Sequence, residues 1–170
     1  ELGGRFNYHS EYGNNATFTI NPAYRLNKAV RIFGNLYTAF KTPTLYQLFD
    51  PYSGNDSLLP EKGFIQELGI DFMQGKKFSG RVVAFNRKSK ETILYTYDLT
   101  TFAGQYLNAS SQTNYGFETE LQWSFQPVSF RANYAFTNGT TKSRFDGTGA
   151  AIGKDTSYYN LYRIPKHAFN

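Results

Sequence analysis

The sequence predicts an all-β protein, of the class of transmembrane antiparallel up-and-down β-barrels. Three observations support this fold class: apolar and polar side chains alternate with a period of two, several alternating segments run for ten residues or more, and short and long connections take turns along the chain. Ordinary strands have about five or six residues, whereas a tilted strand that crosses a bilayer needs about nine to eleven.

The alternating segments define about eight strands. In one of them, Phe117, Leu121 and Trp123 alternate with Glu118 and Glu120, so that one face is apolar and the other is polar. Pro165 interrupts the last segment and makes it the least regular. In chain order, the predicted strands are 2–9, 17–26, 30–41, 67–72, 78–88, 115–125, 128–137 and 158–170.

The connections between these segments differ in length in a regular order. Short turns are predicted near 27–28, at 74–77 and at 126–127, and longer loops at 10–15, 41–62, 90–105 and 139–157. Alternate connections of an up-and-down barrel lie at opposite ends, so all the short turns would share one end and all the long loops the other. Outer-membrane barrels have this pattern, with short periplasmic turns and long extracellular loops.

Composition narrows the function classes. The net charge of +5 is spread over the strands without a run of five or more like charges, which argues against a nucleic-acid-binding tail. The absence of Cys excludes disulfides and thiolate metal sites. No apolar run is long enough for a membrane helix, and no signal peptide is visible at the start, so we expect that it was removed or that the chain is an internal piece.

On the barrel interpretation, the two faces have different surroundings. The Tyr and Phe side chains at the strand ends would meet outer-membrane lipid at the interfaces, and the charged faces would line a wet lumen. The predicted lumen residues are Arg5, Arg31, Glu67, Asp71, Glu118, Glu120 and Arg131. Two other architectures remain open: a soluble all-β binding module, and a complete eight-stranded barrel with a structural or adhesion role, for which 170 residues suffice.

Several motifs point to a known family. The segments "AFKTPTLYQLF", "GNDSLLPEKG" and "FIQELGIDF" follow one another, and "YLNASSQTNYGFETELQW" and "YRIPKHAFN" come later in the chain. Taken together and in this order, they resemble the barrel region of TonB-dependent outer-membrane receptors. The stretch "TPTLYQLFDPYSGN" with "LLPEKG" is most similar to vitamin B12 (cobalamin) receptors, and ferric-siderophore receptors share much of the pattern.

The resemblance implies a transport function in the bacterial outer membrane. It implies a plugged barrel of about 22 strands that binds a scarce ligand, cobalamin or an iron chelate, and imports it with energy delivered by the TonB complex. Residues 1–170 would then be an internal section of the barrel domain, without the plug and the final strands. The resemblance implies no enzyme activity, and no catalytic constellation, cofactor motif or metal-ligand spacing is recognisable.

Two long loops supply the candidate ligand-binding residues, because binding residues concentrate on loops that a rigid scaffold positions. The candidates are Tyr46, Phe49, Tyr52 and Asn55 in the first loop and Tyr95, Tyr97 and Phe102 in the second. The alternative is that the first loop folds onto the rim, with Tyr46 and Phe49 as its anchors. An ion pair at the rim is expected at Glu61 and Lys62.

Overall fold

The computed structural model describes residues 1–75, 77–146, 148–158 and 165–170, and within these ranges it shows one antiparallel sheet. The elements are β1 (Leu2–His9), β2 (Gly13–Ile20), β3 (Ala23–Arg25), β4 (Val30–Lys41), α1 (Leu45–Phe49), β5 (Glu61–Gln74), β6 (Phe78–Asp98), β7 (Ala103–Phe125), β8 (Val128–Phe145), β9 (Ala151–Tyr158) and β10 (His167–Phe169). Among the described residues, no helix is long and apolar enough to cross a membrane.

The strands follow one another in space as they do along the chain. Each pairs with the next in the order β1-β2-β4-β5-β6-β7-β8-β10. Since β2 and β3 both pair with β4, and β9 and β10 both pair with β8, the described sheet has eight strand positions. The up-and-down order predicted from the sequence is therefore confirmed. Of the predicted strand 158–170, residues 159–164 lie outside the described residues.

The ladder registers sort the side chains onto two faces. Ile32, Ile70 and Val82 are aligned on adjacent strands and belong to an apolar face, which we call the outward face. One residue along, Arg31, Asp71 and Arg81 are aligned on the opposite, inward face. The same alternation places all the predicted lumen residues on the inward face: Arg5, Arg31, Glu67, Asp71, Glu118, Glu120 and Arg131.

The outward face is unusually apolar for a surface exposed on a sheet. Leu68, Phe117, Trp123 and Phe130 are all exposed there, and none of the residues that the structure describes forms a second layer over them. A soluble module would bury such a face in a core, so the open sheet does not fit that alternative.

Three of the predicted longer loops are wrong in extent. The loop predicted at 10–15 is shorter, because β2 starts at Gly13 and pairs with β1 from there. The segment 90–105 continues as paired strand, because β6 runs to Asp98 and β7 starts at Ala103. In the same way β8 extends to Phe145 and β9 starts at Ala151, within the predicted loop 139–157. Apolar and polar residues do not alternate regularly along these extensions, so the sequence loses its apolar contrast while the backbone ladder continues. Residues 42–60 are the one long connection among the described residues.

Candidate ligand-binding site at the long-loop end

The long connection 42–60 begins with a helix that its own sequence caps. The Thr44 hydroxyl accepts a hydrogen bond from the Gln47 N–H (3.2 Å), and the Gln47 side chain accepts one from the Thr44 N–H (2.9 Å). This is a capping box, which the spacing Thr-x-x-Gln signals in the sequence. Helix α1 spans only five residues, too few for helical periodicity to reveal it.

A polar turn ends the helix. The Asp50 carboxylate accepts hydrogen bonds from the Ser53 hydroxyl (2.7 Å), the Ser53 N–H (2.9 Å) and the Tyr52 N–H (3.2 Å). The Ser53 hydroxyl holds the pKa of Asp50 below its ordinary value, and the backbone N–H groups of Ser53 and Tyr52 act in the same direction. The turn therefore depends on the charged form of Asp50.

The second half of the connection is fastened to β7 by hydrogen bonds. The Tyr106 N–H donates to the Ser53 carbonyl (3.1 Å), and the Asn55 Nδ2 donates to the Tyr106 carbonyl (2.8 Å). The Asn108 side chain accepts from the Leu59 N–H (2.9 Å) and donates to the Leu59 carbonyl (3.0 Å). The loop is thereby held at three successive points, mostly through its main chain.

Apolar packing supports the same half of the connection. Leu58 is 1% exposed, and Pro43 and Pro60 are buried as well. The Tyr12 hydroxyl, from the turn between β1 and β2, donates to the Leu58 carbonyl (3.2 Å). The connection thus joins two distant parts of the sheet at the long-loop end.

The connection lies on the inward side. Tyr106 and Asn108 have the same strand parity as Glu118 and Glu120 along the regular strand β7, and therefore the same face. A loop bonded to them covers the inward side of the long-loop end.

Three tyrosines meet beneath and beside α1. The rings of Tyr95 and Tyr106 lie 5.1 Å apart, and those of Tyr46 and Tyr106 lie 6.2 Å apart, edge to face. We call Tyr46, Tyr95 and Tyr106 the tyrosine cluster. Gly104 lies under the Tyr95 ring, where a Cβ atom would overlap with the Tyr95 hydroxyl. The Tyr95 ring can therefore occupy this position only because residue 104 has no Cβ atom.

The sequence-predicted site residues differ in their contacts and exposure in the structure. Tyr46 and Tyr95 both contact Tyr106, and Tyr52, which lies in the same connection as Tyr46, is 91% exposed. Asn55 makes its hydrogen bonds within the protein, to Tyr106 and to Ser57, so its place is in the loop anchor. The remaining candidates, Phe49, Tyr97 and Phe102, are exposed, and Phe102 lies in the turn between β6 and β7 with φ 56°.

Two expectations about the rim are wrong. Tyr46 and Phe49 do not anchor the loop, because both are mostly exposed, whereas Ser53, Asn55 and Leu58 hold it. Glu61 pairs with Lys41 (3.1 Å) and not with Lys62, since Lys41 is its direct partner across the ladder. The other Glu61 oxygen accepts the Ile93 N–H (2.7 Å).

Sequence reasoning places Tyr106 with Tyr95, Tyr97 and Phe102 in the second aromatic loop, but it missed Asn108 as a site residue. Tyr106 and Asn108 lie in "YLNAS", where Asn two residues after Tyr puts an amide and an aromatic ring on one face of a strand. That spacing was the available signal, but the stretch looked like the beginning of a strand rather than the floor of a site.

Below the site, the inward face is a network of charges. Asp71 accepts from Arg31 (2.6 Å) and Arg81 (2.7 Å), and both guanidinium groups lie over the Phe33 ring, 5.2 and 5.5 Å from its centre. Glu67 accepts from Asn35 (2.9 Å). Within the described ranges, no group of three or more His, Asp or Glu side chains could hold a metal ion.

Residues 1–170 match, along their whole length, the family model described as TonB dependent receptor-like, beta-barrel. The chain belongs to the TonB-dependent receptors. The family consists of transport receptors of the outer membrane, so the predicted fold class and location are confirmed.

The relatives of this TonB-dependent receptor carry different names. The probable TonB-dependent siderophore receptor PirA of Acinetobacter baumannii is 26% identical over 91% of this chain and 21% of its own length. The vitamin B12 transporter BtuB of Vibrio cholerae is 32% identical over 65% of this chain and 17% of its own length. The chain therefore spans about a fifth of the length of these relatives.

Solved structures agree on the fold. The siderophore receptor PirA from Pseudomonas aeruginosa superimposes with a TM-score of 0.71 at 24% identity, over 84% of this chain and 30% of that structure. At this identity the similarity shows the shared barrel architecture and no more.

Proposed function

We propose that this receptor section carries loops that bind a scarce ligand at the extracellular side, and that the whole receptor imports the ligand with energy delivered by TonB. The observation that carries the proposal is the tyrosine cluster under the docked connection 42–60. It lies on the inward side of the long-loop end, the side at which a ligand enters a barrel whose long loops are extracellular.

The chemistry of the cluster suits a large ligand with flat or aromatic parts. Each tyrosine offers a rigid apolar ring for stacking and a hydroxyl for hydrogen bonding. Tyr46, Tyr95 and Tyr106 supply this surface from two separate segments, and the exposed rings of Phe49 and Tyr52 extend it toward solvent. Tyr97 and Phe102 extend it along the hairpin of β6 and β7.

Cobalamin is our first candidate ligand. The vitamin B12 transporter BtuB of Vibrio cholerae is 32% identical over 111 residues. A corrin ring is a broad surface of the kind that tyrosine rings cover. Under this proposal Tyr46, Phe49, Tyr52, Tyr95, Tyr97 and Phe102 contact the ligand, and Asn55 positions the loop.

A ferric siderophore is the second candidate. The relative named a siderophore receptor, PirA of Acinetobacter baumannii, is similar over 91% of this chain, compared with 65% for BtuB. Phenolic hydroxyls also suit the oxygen-rich surface of an iron chelate, so the tyrosine cluster fits either ligand.

The test is isothermal titration of the full-length receptor in detergent with cyanocobalamin and, separately, with a ferric catecholate. We expect one of the two to bind, and Tyr46→Ala and Tyr95→Ala to weaken its affinity by about fivefold each, since an aromatic contact contributes about 1 kcal/mol. Tyr24→Ala is the matched control, because Tyr24 is an exposed tyrosine on the outward face of β3. Equal effects of all three substitutions would contradict the site.

We also propose that residues 1–170 are one section of a larger barrel that contains a plug and contacts TonB outside this section. The support is that β1 and β10 lie at opposite edges of the described sheet and are not paired with each other. An unpaired edge is not tolerated in a membrane, so further strands must complete the barrel. The intact mass of the native protein tests this: a value near 19.4 kDa would contradict it.

A further inference from the structure

All the charges on the outward face of β5–β8 near the membrane are positive. The outward positions 62–74, 78–92, 107–125 and 128–144 hold five basic residues and no Asp or Glu. Four of them are lysines near the long-loop end, which we call the lysine row: Lys62, Lys88, Lys90 and Lys142. On the inward face, in contrast, acidic and basic residues alternate and pair.

The ladder registers bring these lysines together. Lys62 is directly opposite Lys90, Lys90 is opposite Ser111, and Ser111 is opposite Lys142. Neighbouring strands lie about 4.8 Å apart, so the three lysines fall within about 14 Å on one line across the sheet. Lys88 lies two residues from Lys90 on the same face, about 7 Å away.

The lysine row has no acidic partner in the described part of the chain. All four side chains are exposed, and the recorded ion pairs involve Arg31, Lys41, Arg81 and Arg87 instead. Like charges directly opposite each other destabilise a sheet, and Lys62 and Lys90 are such a pair. An anion bound between them would remove this repulsion.

The position of the lysine row along the strands places it just outside the apolar band of the barrel. The apolar residues of β7 run from Phe125 to Tyr115, which is ten residue steps and, for a strand tilted by about 40°, a band of about 26 Å. This equals the apolar band of about 25 Å in outer-membrane barrels. Ser111, which marks the lysine row, lies four residues farther toward the long loops, about 10 Å beyond the band.

We propose that the lysine row binds the phosphate groups on the headgroup of a membrane lipid in the outer leaflet. The position just beyond the apolar band is where lipid headgroups lie, and flexible lysine side chains reach toward them. Phe64, two residues from Lys62 toward the apolar band and on the same face, is exposed and would contact the upper parts of the acyl chains. The proposal is independent of which ligand the receptor imports.

The experiment is native mass spectrometry of the full-length receptor in detergent, titrated with bisphosphorylated lipid A and with the same glycolipid after removal of both phosphates. The test variant is Lys62→Ala with Lys90→Ala. The matched control is Lys28→Ala with Lys77→Ala, which makes the same change in charge at the short-turn end. Retention of the folded, heat-modifiable band on electrophoresis verifies that each barrel is intact.

The proposal expects selective binding of the phosphorylated lipid. Affinity for it should fall by about twenty-five-fold in the Lys62/Lys90 variant, which is about fivefold for each lysine near a charged lipid surface. It should remain unchanged in the control. Binding of both lipids with equal affinity would overturn it, as would equal losses in the two variants. Displacement of the lipid by millimolar inorganic phosphate alone would also overturn it, because free phosphate would then be the ligand.

Discussion

The Asn108 side chain should decide whether the connection 42–60 stays docked. Its amide makes two hydrogen bonds to the Leu59 main chain, of 2.9 and 3.0 Å, and one of 2.7 Å to the Glu91 carbonyl. The two bonds to Leu59 contribute about 1 kcal/mol each after competition with water. Asn108→Ala should therefore weaken docking by about 2 kcal/mol, which raises the undocked population about thirtyfold.

Hydrogen exchange followed by mass spectrometry on the full-length receptor measures this directly. Peptides that cover residues 53–59 should exchange about thirty times faster in Asn108→Ala. Asn108→Asp keeps the oxygen that accepts the Leu59 N–H, so its exchange rate should lie between those of the unchanged receptor and Asn108→Ala. Asn114→Ala is the control, because Asn114 is on the same strand and face and its Oδ1 has no hydrogen-bond partner among the described residues.

Unchanged exchange at residues 53–59 in a folded Asn108→Ala barrel would refute the reasoning. It would mean that the apolar contacts of Leu58 hold the loop without the amide. Faster exchange in Asn114→Ala as well would point to a general loosening of β7.

Three further predictions concern the loop and the charge network. Leu58→Ala should weaken loop docking by about 3 kcal/mol, which would be measured as faster protease cleavage within 42–60. The control Leu59→Ala, at a half-exposed neighbour, should change docking by at most about 0.5 kcal/mol. Equal cleavage rates in the two variants would contradict this. The lowered pKa of Asp50 means that its contribution is present at neutral pH and is lost as the pH falls through the folded-state pKa, so Ser53→Ala should move the onset of faster exchange to higher pH. A pH profile unaffected by Ser53→Ala would speak against it. Asp71→Asn should reduce the free energy of unfolding of the barrel by about 1 kcal/mol, because the arginine partners of Asp71 are partly exposed, and should therefore lower the thermal midpoint. An unchanged midpoint would be inconsistent with the ion-pair network.

The sequence was informative where the two faces of a strand have different surroundings. In 115–125 the contrast between Trp123 and Glu120 fixes both the strand and the direction of each side chain, and the structure agrees. The same contrast is absent from 92–98 and 103–110, where apolar and polar residues do not alternate regularly. A loop and a polar hairpin have the same composition there, so only the ladder distinguishes them.

The site was less accessible to sequence reasoning than the fold. The aromatic content of the loops pointed to Tyr46, Tyr95 and Tyr106, but not to the contacts among them, because the three come from α1, β6 and β7. Docking depends on long-range contacts, such as Asn55 with Tyr106 across 51 positions of sequence. Periodicity and local spacing carry no information about pairs so far apart.

The residues that attach the connection 42–60 to β7 are largely different from the residues that it exposes to solvent. Its attachment to β7 uses the main-chain groups of Ser53 and Leu59, which any residue type would offer, together with the amides of Asn55 and Asn108. The side chains at 46, 49 and 52 form none of these hydrogen bonds, and of the three only the Tyr46 ring contacts β7, at Tyr106. The residue types at these three positions can therefore change while the hydrogen bonds that attach the loop stay the same. The same loop attachment could then serve receptors for different ligands.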